Sequence, residues 1–159
     1  MKFNKKGQAA LEFLTTYGWA FLAILVMVGA LSYFGVFDAS KFVPESCKLD
    51  GNLECPSYAL NSSQLNIRIQ NNLMTPIKVT KIRITERGNT SFEDAFTGSS
   101  SIPKQSEADI TGNGSINLGS FKGEKKTFIL NVYYTKGSST IANVAEGTLT
   151  ALVRDGPVS

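Results

Sequence analysis

The sequence has no histidine and only two cysteines, and charged residues make up just 18% of its 159 positions. Without histidine the usual general base and the commonest metal ligand are missing, which excludes histidine-dependent hydrolases and histidine-bound zinc sites. Neither a nucleophile elbow nor a phosphate-binding glycine loop occurs. The close carboxylate pairs Glu93-Asp94 and Glu107-x-Asp109 lack the ligand spacing of an EF-hand loop, and we interpret them as solvated loop acids. The sequence therefore predicts a protein that is not an enzyme and that holds no metal or cofactor.

Basic residues outnumber acidic ones by 16 to 13, but the excess is confined to one end of the chain. Lys2, Lys5 and Lys6 lie within the first seven residues, and the rest of the chain holds 13 residues of each sign. No stripe of Lys and Arg remains that could neutralise the phosphates of a nucleic acid. Nucleic acid is therefore not a predicted partner.

A long uncharged segment follows these lysines, from Phe13 to Phe37. As a helix its 25 residues would span about 37 Å, enough to cross a hydrocarbon layer about 30 Å thick. Apolar side chains occupy every side of such a helix, as in helices buried in lipid or among other helices. A soluble core helix and a secretory signal peptide are the alternatives, but the segment is long for either. Because the lysines precede the segment, the positive-inside rule places the N-terminus in the cytoplasm and the following domain outside.

The residues at the start of this segment resemble a known family. Residues 5–13, KKGQAALEF, are similar to the class III signal peptide of archaeal type IV pilins and pilin-like proteins. The resemblance implies that a prepilin peptidase cleaves between Gly7 and Gln8 and leaves the apolar helix on the mature chain. The residues implied in recognition by the peptidase are Lys5, Lys6, Gly7, Gln8 and Glu12.

Glu12 is a carboxylate at the edge of the apolar segment, where a membrane anchor gains nothing from a charge. Cleavage would create an α-amino group on Gln8, four residues away, and Glu12 could face the amine of a neighbouring subunit or its own. A desolvated carboxylate without a partner is strongly destabilising, so we interpret Gln8 and Glu12 as residues that set the register of assembly. The alternative is that Glu12 serves only in peptidase recognition, or reaches the membrane interface from the first helical turn.

The family resemblance implies a structural subunit of an archaeal type IV pilus-like surface filament, with the helix in the filament core and the head exposed for adhesion. The implied partners are identical or related pilin subunits, a prepilin peptidase, an assembly ATPase and a membrane platform protein, with the lipid bilayer holding the precursor. Two alternatives remain open. One is a helix-tethered cell-surface binding domain that does not polymerise, and the other is an archaellin-type filament subunit.

From Asp38 onward, Ser, Thr, Asn and Gly dominate the sequence, and alternation of apolar and polar residues predicts strands. A change of phase near Thr80 and Lys81 predicts a β-bulge. Short strands without helical periodicity favour an antiparallel sandwich, of which the immunoglobulin-like fold is one form. The predicted fold class is α+β, a long N-terminal hydrophobic helix followed by a β-sandwich head. Strands are predicted, the last two more weakly, at 65–70, 77–84, 128–134, 149–153, 92–96 and 115–121.

The predicted organisation has four segments, each with its own role. They are a cleavable basic leader at 1–7, a hydrophobic transmembrane or filament-core helix at 8–37, a connector at 38–64 and an extracellular β-sandwich domain at 65–159. Cys47 and Cys55 lie in the connector, and an even pair in an exported chain predicts a disulfide. We expect this bond to pin the connector where the helix meets the head.

Three N-x-S/T sequons occur in turn-like stretches of the outer part, at Asn61, Asn89 and Asn113. All three are candidates for N-glycosylation, and we predict that at least one is occupied. Glycans there would add a hydrophilic shell without touching the core.

Overall fold

A computed structural model describes residues 5–37 and 43–156, and it has the predicted α+β architecture. The chain divides into two compact units, residues 1–42 and 43–159. The first unit contains one apolar helix and the second contains two antiparallel sheets. The first four residues of the predicted leader, residues 38–42 of the predicted connector and the last three residues of the predicted head lie outside the described residues.

Helix α1 runs from Lys5 to Tyr33, so it begins before the predicted start at residue 8 and ends four residues before the predicted end at 37. The reason for its early end is Gly35, which has a φ of 66°. The Val36 N–H donates to the Leu31 carbonyl at 3.1 Å and the Gly35 N–H donates to the Ser32 carbonyl at 3.0 Å. These two bonds form a Schellman motif, in which glycine takes the left-handed conformation at low cost.

Residues 43–156 form eight strands, and all pairs within the sheets are antiparallel. One sheet has the order β1-β8-β7-β4-β5 and the other has the order β2-β3-β6. With β2-β3-β6 as strands A-B-E and β8-β7-β4-β5 as G-F-C-C′, this is the strand order of an immunoglobulin-like sandwich without strand D and with β1 added beside β8. The strands are β1 (Ser46–Leu49), β2 (Leu53–Leu60), β3 (Leu65–Asn71), β4 (Ile77–Glu86), β5 (Glu93–Ile102), β6 (Ser106–Thr111), β7 (Lys125–Lys136) and β8 (Asn143–Leu152).

The core of this unit consists of the inward-facing residues of both sheets, as the alternation predicts. Ile67 and Ile69 of β3 are buried in it together with Phe128, Leu130 and Val132 of β7. Burying such a side chain contributes about 1.5–3 kcal/mol, so these alternating sets hold the two sheets together. The predicted bulge in β4 is confirmed, because the register of β4 shifts between residues 79 and 81 against both neighbouring strands.

Two predictions about the extent of the sandwich are wrong. Residues 46–60, predicted as connector, form β1 and β2 and so belong to the two sheets. Residues 115–121, predicted as a weak strand, form a loop that ends in a single 3-10 turn at Gly119–Phe121. Conversely, the alternation did not predict strand β6, because β6 places one large apolar residue, Ile110, in the core.

The predicted disulfide between Cys47 and Cys55 is confirmed, but its place in the fold differs from the expected one. Cys47 lies in β1 and Cys55 lies in β2, with their Cα atoms 5.6 Å apart. These strands are the edges of different sheets. The bond therefore joins the two sheets along one side of the sandwich instead of pinning a connector.

The opposite side of the sandwich is closed by the loop that follows β6. The Gly112 N–H donates to the Leu65 carbonyl of β3 at 2.9 Å, and the Gly114 N–H donates to the Ala95 carbonyl of β5 at 3.1 Å. A Cβ on Gly114 would overlap the backbone of Asp94. Glycine is therefore required here, because only a residue without a side chain lets the loop approach the edge of β5 closely enough to bond to it.

Candidate functional site

Helix α1 exposes apolar side chains along most of its length. The segment Leu11–Tyr33 has a mean hydropathy of 1.9, and no part of it is buried against other described residues. Its 23 residues correspond to about 34 Å of helix, which matches the length and composition of a membrane span. An apolar surface of this kind is unfavourable in water and favourable in lipid or against other helices. The large apolar residues exposed on it include Leu11, Phe13, Tyr17, Trp19, Phe21, Leu22, Ile24, Leu25, Val26, Met27, Val28 and Leu31.

The predicted cleavage and register residues lie in the first turns of α1. Lys5, Lys6, Gly7 and Gln8 belong to its N-terminal end, and Glu12 follows Gln8 by four residues. Positions four apart lie on the same face of a helix, so the helix aligns Glu12 with the residue that would become the new N-terminus.

Glu12 has an exposed side chain, and its backbone carbonyl accepts two hydrogen bonds. The Glu12 carbonyl accepts hydrogen bonds from the Thr15 hydroxyl at 3.0 Å and the Thr16 hydroxyl at 2.9 Å. Because both hydroxyl groups already donate within the helix, neither hydroxyl needs a further partner in an apolar environment. One turn along, the rings of Phe13 and Tyr17 lie 4.3 Å apart.

Small residues leave open space on the surface of α1. A Cβ built on Gly18 or Gly29 would meet no atom within 4 Å beyond its chain neighbours and the adjacent backbone of the helix, which continues through both positions without a break. Positions of this kind allow another helix to approach closely, which is the main route to association where lipid removes the hydrophobic driving force.

The three sequons differ sharply in accessibility. Asn61 is only 5% exposed, and its Nδ2 donates to the Gly156 carbonyl at 2.8 Å. Because the glycan is attached at this nitrogen, the folded domain has no room for one, and the prediction for Asn61 is wrong for the folded state. Asn113 is exposed, but its amide bonds to both the N–H and the carbonyl of Thr97, at 2.9 and 2.8 Å. Asn89 is exposed, and its Oδ1 accepts the N–H of Ser91 at 3.1 Å, while its Nδ2 makes no hydrogen bond to the described residues.

We expect Asn89 to be the first sequon occupied. In protein purified from its native host, Asn89→Gln should remove most of the glycan mass detected by intact mass spectrometry, whereas Asn61→Gln should remove none. Retention of the full glycan mass in the Asn89 variant would contradict this order of accessibility.

The acidic residues interpreted as loop acids lie instead in strands and make ion pairs. In β5, Asp94 contacts the Lys81 Nζ at 3.2 Å and the Arg83 Nε at 3.1 Å. In β6, Asp109 receives two hydrogen bonds from Arg68, at 2.6 and 2.7 Å. The Arg68 hydrogen bond lowers the pKa of Asp109, and the same contact raises the pKa of Arg68. The Arg68–Asp109 pair is exposed and contributes little to stability, whereas Asp94 and its two partners are half-buried. Within residues 5–37 and 43–156 no three acidic or cysteine side chains gather as metal ligands.

A tyrosine connects the two sheets close to the disulfide. The Tyr58 hydroxyl donates to the Thr150 carbonyl of β8 at 3.1 Å. Burial raises the pKa of Tyr58, and the negative charge of Glu45 raises it further. Burial and the nearby negative charge disfavour the phenolate, so the protonated hydroxyl that donates to β8 is favoured.

Comparison with known proteins adds no relative to these observations. No protein-family model matches the chain, and no curated protein matches it. The chain is thus defined by its architecture, an exposed apolar helix followed by an immunoglobulin-like sandwich with an intersheet disulfide.

Proposed function

We propose that this protein is a structural subunit of an archaeal type IV pilus-like surface filament. In this proposal the precursor is held in the cell membrane with its N-terminus in the cytoplasm, and a prepilin peptidase cleaves it after Gly7. An assembly ATPase and a membrane platform protein then transfer the mature chain into a filament. The helices pack in the filament core, and the sandwich forms the outer surface and carries adhesion.

The observation that carries this proposal is the exposure of helix α1. None of the segment Leu11–Tyr33 is buried against the described part of the chain. A plain membrane anchor would account for the apolar surface, but not for the carboxylate of Glu12 at its edge or for the motif at residues 5–13. A helix stored in lipid and then packed among identical helices accounts for all three features, because neighbouring subunits supply both apolar contacts and a partner for the carboxylate.

The head supports a role outside the cell. Its disulfide is a feature of oxidising compartments, and the bond joins two edge strands that would otherwise be free to separate. Three of the four edge strands are short, bulged or charged: β1 has four residues, β2 carries Pro56 at a register shift, and β6 presents Glu107 and Asp109. Such edges resist aggregation when many heads are crowded along a filament.

The test is electron microscopy of filaments sheared from the native host, with identification of their subunits by mass spectrometry. The proposal expects filaments that contain this chain and that begin at Gln8. Membranes that hold only uncleaved, unassociated copies would contradict it. Cleaved copies that remain single in the membrane would favour the helix-tethered binding domain, and filaments that rotate during swimming would favour an archaellin.

Replacing Glu12 by glutamine tests the assembly register. We expect cleavage to continue but the yield of filaments to fall by about tenfold or more, because the variant loses the carboxylate that pairs with the N-terminal amine. The same change at Glu146, an exposed carboxylate of the head, is the control and should leave the yield unchanged. Normal filament yield from the Glu12 variant would show that Glu12 sets no register.

A further inference from the structure

Strand β5 is the longest of the four edge strands, and one loop covers part of its edge. β5 runs from Glu93 to Ile102 and pairs with β4 on one side. Residues 112–118, which we call the edge loop, follow β6 and bond to β5 between Glu93 and Thr97. Uncovered strand edges expose backbone N–H and C=O groups that can pair with another chain. The bonds of the edge loop therefore decide whether this part of the edge is open.

Asn113 takes the place of a neighbouring strand at Thr97. Its Oδ1 accepts the Thr97 N–H at 2.9 Å, and its Nδ2 donates to the Thr97 carbonyl at 2.8 Å. Two residues that face each other in an antiparallel ladder exchange the same pair of bonds. We call these two bonds the edge lock. The lock requires an acceptor and a donor on one side chain, and the amide of Asn113 supplies both.

Backbone bonds on either side of Asn113 fix the position of the lock. The Gly112 N–H donates to the Leu65 carbonyl at 2.9 Å, and the Gly114 N–H donates to the Ala95 carbonyl at 3.1 Å. A Cβ built on either glycine would overlap the backbone of a neighbouring strand. The edge loop is therefore packed so closely that there is no room for an added atom next to Asn113.

The same residues are also the one Asn-Gly pair of the sequence. Asparagine is chemically labile, and a following glycine hinders ring closure least because it has no side chain. In this reaction the Gly114 backbone nitrogen bonds to the Asn113 Cγ, and the Nδ2 amine leaves as ammonia with the N–H proton. Water then opens the succinimide ring at one of its two carbonyls, so that residue 113 becomes aspartate or isoaspartate.

We propose that Asn113 is a deamidation site and that its reaction opens the covered part of the β5 edge irreversibly. In the closed lock neither reactant is available, because the Asn113 amide bonds to Thr97 and the Gly114 N–H bonds to Ala95. Local opening of the edge loop releases both groups. The rate of deamidation therefore follows the population of the open loop.

Neither product can form the lock again. An ionised aspartate still accepts the Thr97 N–H, but it places a second acceptor where the Nδ2 of Asn113 donated to the Thr97 carbonyl. That carbonyl loses its donor, and the two oxygens repel each other. Isoaspartate lengthens the main chain by one atom between Gly112 and Gly114, where the close packing leaves no room. The edge loop stays released, and the Thr97 N–H becomes available to solvent.

The rate can be measured on the full chain in detergent, made without glycans and incubated at mildly alkaline pH. Peptide mass spectrometry then follows the loss of the Asn113 amide. We expect the folded chain to react about tenfold or more slowly than the same chain in guanidinium chloride. Thr97→Pro removes the N–H from an edge position and should raise the folded rate by about tenfold. Thr97→Ala keeps both backbone groups and should react at the unchanged rate.

Hydrogen exchange measures the consequence separately. Asn113→Asp reproduces one product and should increase exchange at the Thr97 amide by about tenfold or more. Asn52→Asp makes the same change of charge in the exposed turn between β1 and β2, and it should leave exchange in β5 unchanged. Unchanged protein that is deamidated in denaturant and then refolded should exchange as the Asn113→Asp variant does. This measurement decides the question even where Thr97→Pro fails to fold.

Three results would each overturn the proposal. They are equal rates of amide loss in the folded and denatured chains, equal rates in folded Thr97→Pro and Thr97→Ala, and normal exchange at Thr97 in the Asn113→Asp variant. Every one of these readouts concerns the head alone. A failure to form filaments therefore leaves them valid, and a negative result here leaves the filament proposal untouched.

Discussion

Replacing Asn71 by leucine is expected to lower the free energy of unfolding by about 3 kcal/mol, because buried polar groups that lose a partner cost about 1–3 kcal/mol each. Asn71 is fully buried, and its side chain bonds to the carbonyls of Thr75 and Pro103 and to the N–H of Leu73. A leucine side chain has the same branched shape but leaves all three groups without their protein partner. The change is measured by chemical denaturation of the full chain in detergent, with unfolding monitored by far-ultraviolet circular dichroism.

The adjacent Asn72 provides the control for this substitution. Asn72 is exposed, and its side chain contacts Glu54 alone among the described residues. Asn72→Leu should therefore cost less than about 0.5 kcal/mol, as is usual for surface positions. Equal effects of the two substitutions would show that the hydrogen bonds of Asn71 do not hold the loops together.

Replacing both cysteines by serine should destabilise the head by about 2.5 kcal/mol, since the bond closes a loop of roughly nine residues in the unfolded chain. The native state should also loosen, because Cys47 and Cys55 join the edge strands of the two sheets. Hydrogen exchange should then increase first in β1, a strand of four residues that otherwise depends on its pairing with β8.

Reduction of the unchanged protein is the control for the double serine variant. If the crosslink alone matters, the reduced protein and the variant should unfold at the same denaturant concentration. A variant as stable as the oxidised protein would mean that the disulfide contributes nothing to closing this side of the sandwich.

Local patterns sufficed for the features that depend on neighbouring residues. The uncharged run predicts helix α1 but not where it ends. The sequence signal for the end is Gly35, which takes a positive φ just after the last helical turn. The alternation in β3, β4 and β7 predicts strands and even the bulge near Thr80, because the pleat places every second side chain on the same face. Strand β6 escaped this reasoning because Ile110 is its one large apolar residue in the core.

The features of the candidate site also separate into those that follow from the sequence and those that required the tertiary structure. The motif at residues 5–13, the apolar surface of α1 and the pairing of the two cysteines all follow from the sequence by itself, since composition and short spacing determine them. The tertiary structure alone decided that Asn61 is buried and bonded to Gly156 and that the disulfide joins two sheets. These facts depend on which distant strands pair and in which order, and strand order arises from the packing of the whole core, not from any local pattern.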